Sequence, residues 1–320
     1  NGLIIRRFGV QVPVGPQMSS HSYISNPKND DIFININGDL LHRSEAKISV
    51  FDSGFLLGDG VWEGIRLHNS KLVFINEHLE RLFNSAHGIS IDIPLSKEEI
   101  IFEIEKVLHK NSMKDDVHIR LIISRGNKVT PYQNPNANIG PINFVIIPEH
   151  KKTNPEIYLN GITIGRVQTI RPPDNILSTH FNTLSKLNCI QASIEANKLN
   201  YDEGIMNDPN GNVSTCNSTN LFFIKDRQVW TSTGEFCLNG ITRSKAILIC
   251  HKNGIVCNQT NFTFEDVKNC EEAFVTGTFA GIIPVSKIEN TNLQSTNPDS
   301  MVNEIRLLYN KHIQDSINSK

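Results

Sequence analysis

The chain has 320 residues, 38% of them apolar and 20% charged, and a formal net charge of -2. That length can bury the core of one large or two moderate domains, and the near-neutral charge excludes nucleic acid or an anionic membrane as its main partner. No window approaches roughly 18 uninterrupted apolar residues, so no membrane span is expected.

Residues 1–25 lack the apolar core and the small-residue cleavage site of a signal peptide and read as a disordered extension. A strand at Ile32–Ile36 and a second at Ile48–Phe51, with Asn37-Gly38 as a turn, predict a hairpin. The segment Gly54 to Arg66 carries glycines that permit a tight backbone path. A helix over Asn76–His87 turns Leu79, Leu82 and Phe83 inward. A second helix, Lys97–His109, precedes the strand Val117–Ser124, which ends at Arg125-Gly126. A strand at Ile142–Ile147 follows, and the polar run Pro148–Pro155 places a domain boundary near residue 152. The expected division is therefore 26–152 and 153–320.

The second half opens with a strand over Ile157–Val167, and Arg171-Pro172-Pro173 then forbids regular structure. The stretch His180 to Asn188 leads into a helix whose apolar positions Leu187, Ile190, Ile194 and Leu199 recur at helical spacing, ahead of a short strand at Gly204-Ile205-Met206. Asn210-Gly211 makes a turn, and Leu221–Lys225 with Val229–Thr231 makes a hairpin. A helix over Ile241–Cys250 follows, then strands at Glu271–Thr276 and Ile282–Ile288, and a last helix at Asp299–Ile317. The six cysteines show neither the close pairing of a zinc site nor the density of a disulfide scaffold, so no metal and a reducing, cytoplasmic setting are expected.

Several motifs occur in one order: Asp59-Gly60-Val61-Trp62-Glu63-Gly64, Glu77-His78-Leu79-Glu80-Arg81-Leu82, Asn217 to Phe223, Leu238-Asn239-Gly240-Ile241-Thr242-Arg243, and Thr276-Gly277-Thr278. Together they resemble the class IV, fold type IV, pyridoxal-phosphate aminotransferases, which include branched-chain and D-amino-acid transaminases and aminodeoxychorismate lyase. The resemblance covers about residues 31–288. It implies an α/β (α+β) fold with a small N-terminal domain and a larger pseudo-barrel domain, a homodimer, and pyridoxal 5'-phosphate as cofactor. It also implies a small amino acid and a 2-oxo acid as substrates.

An anion site suits a helix N-terminus, where backbone N–H groups lack intrahelical partners. Gly240, Ile241 and Thr242 open a helix in this way, and the resemblance adds Gly277, Thr278 and Arg81 to a phosphate cup. Taken alone, Arg81 would be an ordinary solvated arginine. The planar guanidinium suits a phosphate.

Two positions depart from the family. The lysine that holds the cofactor as a Schiff base falls on Asn182, and an amide cannot form that bond. Lys186 lies four residues later, about one helical turn or ~6 Å along if the segment is helical. It is either the functional amine or an ordinary surface or cap lysine in a site that has lost its anchor. The glutamate that partners the pyridine nitrogen falls on Thr215, whose neutral hydroxyl cannot stabilise a pyridinium as a carboxylate does. On the substrate side stand Trp62, His118 and Arg120. Strand alternation puts His118 and Arg120 on one face, with Arg125 on the other or beyond the strand, and a structural ion pair is an equal reading of Arg120. The functions in view are an aminotransferase, a lyase or racemase on the same fold, and a binding protein without covalent cofactor.

Overall fold

The computed structural model describes residues 25–318, so the expected N-terminal extension lies outside the described residues except for its last one. Among the described residues the chain builds two large sheets in succession, with a small two-stranded sheet, Asn127–Lys128 with Asn138–Ile139, beside the first. The first is antiparallel, with six strands in the order Asp39–His42, Phe33–Ile36, Asn143–His150, Val117–Ser124, Gly60–His68 and Lys71–Leu72. Helices Ile75–Gly88 and Lys97–Lys110 cover it, because Leu79, Leu82 and Ala86 on one and Ile100, Ile104 and Val107 on the other recur at helical spacing and are buried with Ile65, Ile119 and Leu121. A reciprocal Ser96 and Glu99 capping box starts the second helix.

The second sheet is mixed, with nine strands, and curls into a half barrel. Its central strands are Ile162–Arg166, Gly281–Ile288, Glu272–Gly277 and Asn220–Lys225. Ile164, Leu221, Phe223, Val275 and Ile283 pack on one side. On the other side, helices Ile241–Lys252 and Met301–Asn318 bury Ala246, Ile249, Val302 and Ile305 against Phe222 and Phe274.

The structure departs from the sequence-based expectation in four places. Asn37-Gly38 does turn a hairpin, but its second strand is Asp39–His42, while residues 48–51 form no strand and Val50 stands 65% exposed. The strand expected to end at Ile147 runs on to His150, because Pro148 pairs opposite Ile119 without needing an N–H. The long strand expected over Ile157–Val167 is a helix, Glu156–Asn160, and a strand, Ile162–Arg166, broken at Gly161 with φ +67°. The apolar stripe of helix Leu187–Lys198 faces outward: Leu187, Ile190 and Ile194 are exposed while Ala192 and Ala196 are buried.

Candidate active site

Residues 182–184 join the first sheet to the second. Trp62 N–H donates to the Asn182 carbonyl at 3.0 Å, and Leu184 N–H donates to the Gly60 carbonyl at 2.8 Å. This adds the segment to the strand Gly60–His68, with Val61 bridging Thr183. Asn182 is 1% exposed. Its Nδ2 donates to the Trp62 carbonyl at 2.7 Å, and its Oδ1 accepts from Lys186 Nζ at 3.0 Å.

Lys186 is the N-cap residue of helix Leu187–Lys198, but its side chain does not cap it. The amine instead turns back to Asn182 and lies 5.5 Å from the centroid of the Trp62 ring. Burial pushes its pKa down to about 8, Arg171 and Arg81 adding to the effect and Cys189 and Glu63 opposing it. A lysine in this range is partly neutral, and so nucleophilic, near physiological pH.

On the phosphate side, helix Ile75–Gly88 lifts Arg81 toward the start of helix Ile241–Lys252. Arg81 Nη1 donates to the Asn239 carbonyl at 3.3 Å, one residue before the N-cap Gly240. A Cβ at Gly240 would meet Asn220 Oδ1 at 2.4 Å, so any larger residue there forces Asn220 to shift. Asn220 is itself fixed, its Nδ2 donating to the Leu238 carbonyl at 3.0 Å. Thr242 and Thr278 line one cavity of about 400 Å³ together with Arg66, His78, Phe279 and Tyr309. Arg81, Gly240, Ile241 and Gly277 are not on its wall, nor are Lys186, Asn182 and Trp62, so that cavity touches the cup residues only at Thr242 and Thr278. Gly277 ends the strand Glu272–Gly277, which delivers Thr278.

Sequence reasoning missed Glu63 and His78. Glu63 is fully buried and accepts from Arg81 Nε at 2.7 Å and Nη2 at 2.8 Å, a bidentate pair, while His78 Nδ1 lies 2.7 Å from its Oε2. Burial alone would raise the Glu63 pKa, but Arg81 and His78 hold its carboxyl below the usual range. The usable signal was a lone acid in a buried strand, facing His78 and Arg81 three positions apart on one helix face.

Thr215 is buried on the strand Val213–Cys216, and its hydroxyl donates to the Thr219 carbonyl at 2.7 Å. Beside Trp62, the Arg120 guanidinium forms a wall, stacking on the ring at 4.0 Å; among the described residues it makes no side-chain hydrogen bond, while Glu149 attracts it electrostatically. His118 pairs across from Arg66 and meets Phe279 edge-on, at 5.8 Å between centroids. Arg125 lies past the strand end and is held by Asp59 at 2.7 Å and by the carbonyls of Ile89 and Ser90, apart from this wall.

These parts belong together in one family. The amino-transferase class IV model matches residues 60–288, and the chain belongs to that family. It is 33% identical over 292 residues to branched-chain-amino-acid aminotransferase-like protein 1 of Arabidopsis thaliana, covering 91% of this chain and 52% of that protein. The chain thus spans about half the length of that relative. It is 34% identical to a putative branched-chain-amino-acid aminotransferase of Methanocaldococcus jannaschii, covering 80% of this chain and 88% of that one. Among solved structures it superposes on the branched-chain aminotransferase of the thermophilic archaeon Thermoproteus uzoniensis with norvaline. The TM-score is 0.81 at 26% identity, over 90% of this chain and 97% of that one. The fold is that of the fold type IV aminotransferases.

Pyridoxal phosphate is the cofactor of this family, and the residues present fit it. The helix N-terminus at Gly240 and the nearby Arg81 suit a phosphate, and the Lys186 amine, held inside the site, suits an aldehyde.

Proposed function

We propose that the chain is a pyridoxal-phosphate-dependent aminotransferase that moves an amino group between a small amino acid, branched-chain-like or D, and a 2-oxo acid, with Lys186 as its amine. The observation that supports this reading is the hydrogen bond of Lys186 Nζ to Asn182 Oδ1 at 3.0 Å, which brings an amine beside the residue on which the family's lysine falls by resemblance. When bound, pyridoxal phosphate supplies an aldehyde for amines and a ring that draws electrons. Arg81, the N–H groups of Ile241 and Thr242, and the Thr278 hydroxyl hold the phosphate. Lys186 Nζ, with its pKa lowered to about 8, accepts and returns a proton. Trp62 and Arg120 form the substrate wall, where a guanidinium that makes no side-chain hydrogen bond among the described residues suits a carboxylate, although Glu149 already attracts it.

One observation favours a second reading, a lyase or racemase. The Thr215 hydroxyl is committed to the Thr219 carbonyl and offers no negative charge to a pyridine nitrogen. Incubating the protein with pyridoxal phosphate, single amino acids and a 2-oxo acid separates the two. A new amino acid matching the acceptor supports transamination, whereas racemised or eliminated donor without amino transfer supports the second.

The same reading includes a homodimer, two domains divided near residue 152, and a cytoplasmic setting. Phe55 and Leu57 are 72% and 43% exposed and Leu187 and Ile190 67% and 51%. The two groups are tied together by Ser185 Oγ donating to the Gly58 carbonyl at 3.1 Å. A second copy covering this joint apolar patch is the economical explanation, and Phe55→Glu is expected to shift the mass in sedimentation toward the monomer. The first sheet ends at His150 and the second begins at Ile162. All six cysteines are free, as a reducing compartment keeps them. Among the described residues no helix is long and apolar enough to cross a membrane.

A further inference from the structure

We infer that Asn182 is a positioning residue that fixes the Lys186 amine in place, an inference that rests on the reading of Lys186 as the amine. Asn182 is held from every side. Its backbone N–H donates to Ser85 Oγ at 3.1 Å, its carbonyl accepts from Trp62 N–H at 3.0 Å, and its Nδ2 donates to the Trp62 carbonyl at 2.7 Å. Because a carbonyl can only accept, it selects the NH₂ end of the amide. The Oδ1 end is therefore forced to face the other way, where Lys186 Nζ meets it at 3.0 Å.

A lysine side chain left to itself samples many rotamers. This one starts from an N-cap residue that makes no capping bond, and it is drawn inward over the Trp62 ring, 5.5 Å from its centroid. Trp62 therefore contributes twice, its carbonyl setting the amide and its ring supporting the ammonium. An asparagine at this position thus acts through a lysine four residues along an irregular, non-helical stretch, and absence of a lysine at position 182 need not mean absence of the amine.

An acceptor oxygen binds an ammonium more strongly than a neutral amine, so Asn182 raises the proton affinity of Lys186 against the opposing effect of burial. Removing the oxygen has two consequences of opposite sense. The amine titrates lower, yet it reacts more slowly once neutral because it is no longer held toward the site. A purely structural asparagine would produce neither.

The test follows Lys186 in the full chain by two probes across about pH 6.5 to 10. One is the rate of reaction with trinitrobenzenesulfonate, which needs no cofactor. The other is borohydride trapping of pyridoxal phosphate, with the tagged peptide located by mass spectrometry. For the parent protein both are expected to have a midpoint at about pH 8. Asn182→Leu is expected to lower the midpoint by about one unit and to slow trapping on the alkaline plateau on the order of tenfold. Asn182→Asp, which keeps the side-chain shape should the leucine variant fail to fold, is expected to raise the midpoint by a similar amount. Asn182→Lys combined with Lys186→Ala is expected to restore trapping on the introduced lysine. Tagging of Lys186 with midpoint and plateau unchanged in both Asn182→Leu and Asn182→Asp would overturn the inference and leave Lys186 as the amine. Absence of any tag on Lys186 in the parent protein would instead overturn the underlying reading.

Discussion

The phosphate side and the amine side of the site are built on different principles. The phosphate side is rigid and local to its motif: a helix N-terminus at Gly240, a glycine whose Cβ would collide with Asn220, and an arginine clamped in two places by Glu63. The amine side is assembled from distant pieces. Lys186 depends on Asn182, Asn182 depends on the Trp62 carbonyl, and Trp62 stacks with Arg120 from a neighbouring strand. An anion site made of backbone N–H groups tolerates little change, because the backbone path itself is the ligand. A site made of one reaching side chain can shift its origin by a few residues and still offer the same group.

That contrast can be broken or sharpened by substitution. The largest effect is expected from Lys186→Ala, which should abolish borohydride-trapped cofactor while leaving phosphate binding measurable by dialysis. If the tag survives on another lysine, the amine side has been misassigned.

Arg81→Leu comes next. It leaves Glu63, fully buried, with the His78 ring as its remaining side-chain partner, and the expected loss is about 3 kcal/mol in denaturant unfolding. Weakened cofactor retention should accompany it. A stable variant that still retains cofactor would mean that the Glu63 pair is not part of the cup.

Gly240→Ala should cost about 2 kcal/mol through the contact with Asn220 Oδ1. Its effect on cofactor retention should exceed that of alanine at Gly211, where no atom lies within 4 Å of the added Cβ.

The pH dependence is smaller and distinguishes the two sides. The Lys186 pKa is lowered from 10.5 to about 8, so the reactive neutral amine predominates above that value. As pH falls below about 8 the neutral fraction drops about tenfold per unit. Trapping should therefore rise from about pH 7 to 8 and level off above, whereas an exposed lysine would keep rising toward about pH 10. Folding responds in step with the protons held: between about 8 and 10.5 the unfolded chain holds more protons at this position, so the contribution of Lys186 to stability improves as pH rises through that window.

The smallest effect is expected at Thr215. Thr215→Val removes a donor to the Thr219 carbonyl, which still accepts from Cys216 N–H at 3.0 Å, so the cost should stay at about 1 kcal/mol or less. Calorimetry showing a much larger loss would assign Thr215 a role beyond local packing.

The same division explains what could be read from the residues. Helix Ile75–Gly88, strand Val117–Ser124, the Asn210-Gly211 turn and the helix opened by Gly240 follow from local periodicity and turn chemistry. The proposed cup could be nominated from the residues because its parts lie within short motifs. Glu63 was not, since a buried acid shows its meaning only when His78 and Arg81 arrive from a separate helix. The outward apolar stripe Leu187, Ile190 and Ile194 reads like a core face, because periodicity marks one side of a helix as apolar but does not say which surface will cover it. The strand expected at Ile157 failed at a single residue, Gly161, whose positive φ ends a helix that five residues cannot advertise. The direction of the Lys186 side chain was not legible, because it is set by the Asn182 amide and, through it, by the distant Trp62 carbonyl.

The central claim is that the amine has moved to Lys186 while the cup has stayed. It is tested most directly by reducing the parent protein with borohydride at about pH 8 in the presence of pyridoxal phosphate and sequencing the tagged peptide by mass spectrometry. A single tag on Lys186 is the predicted result. No tag, or a tag only on lysines other than Lys186, would contradict it.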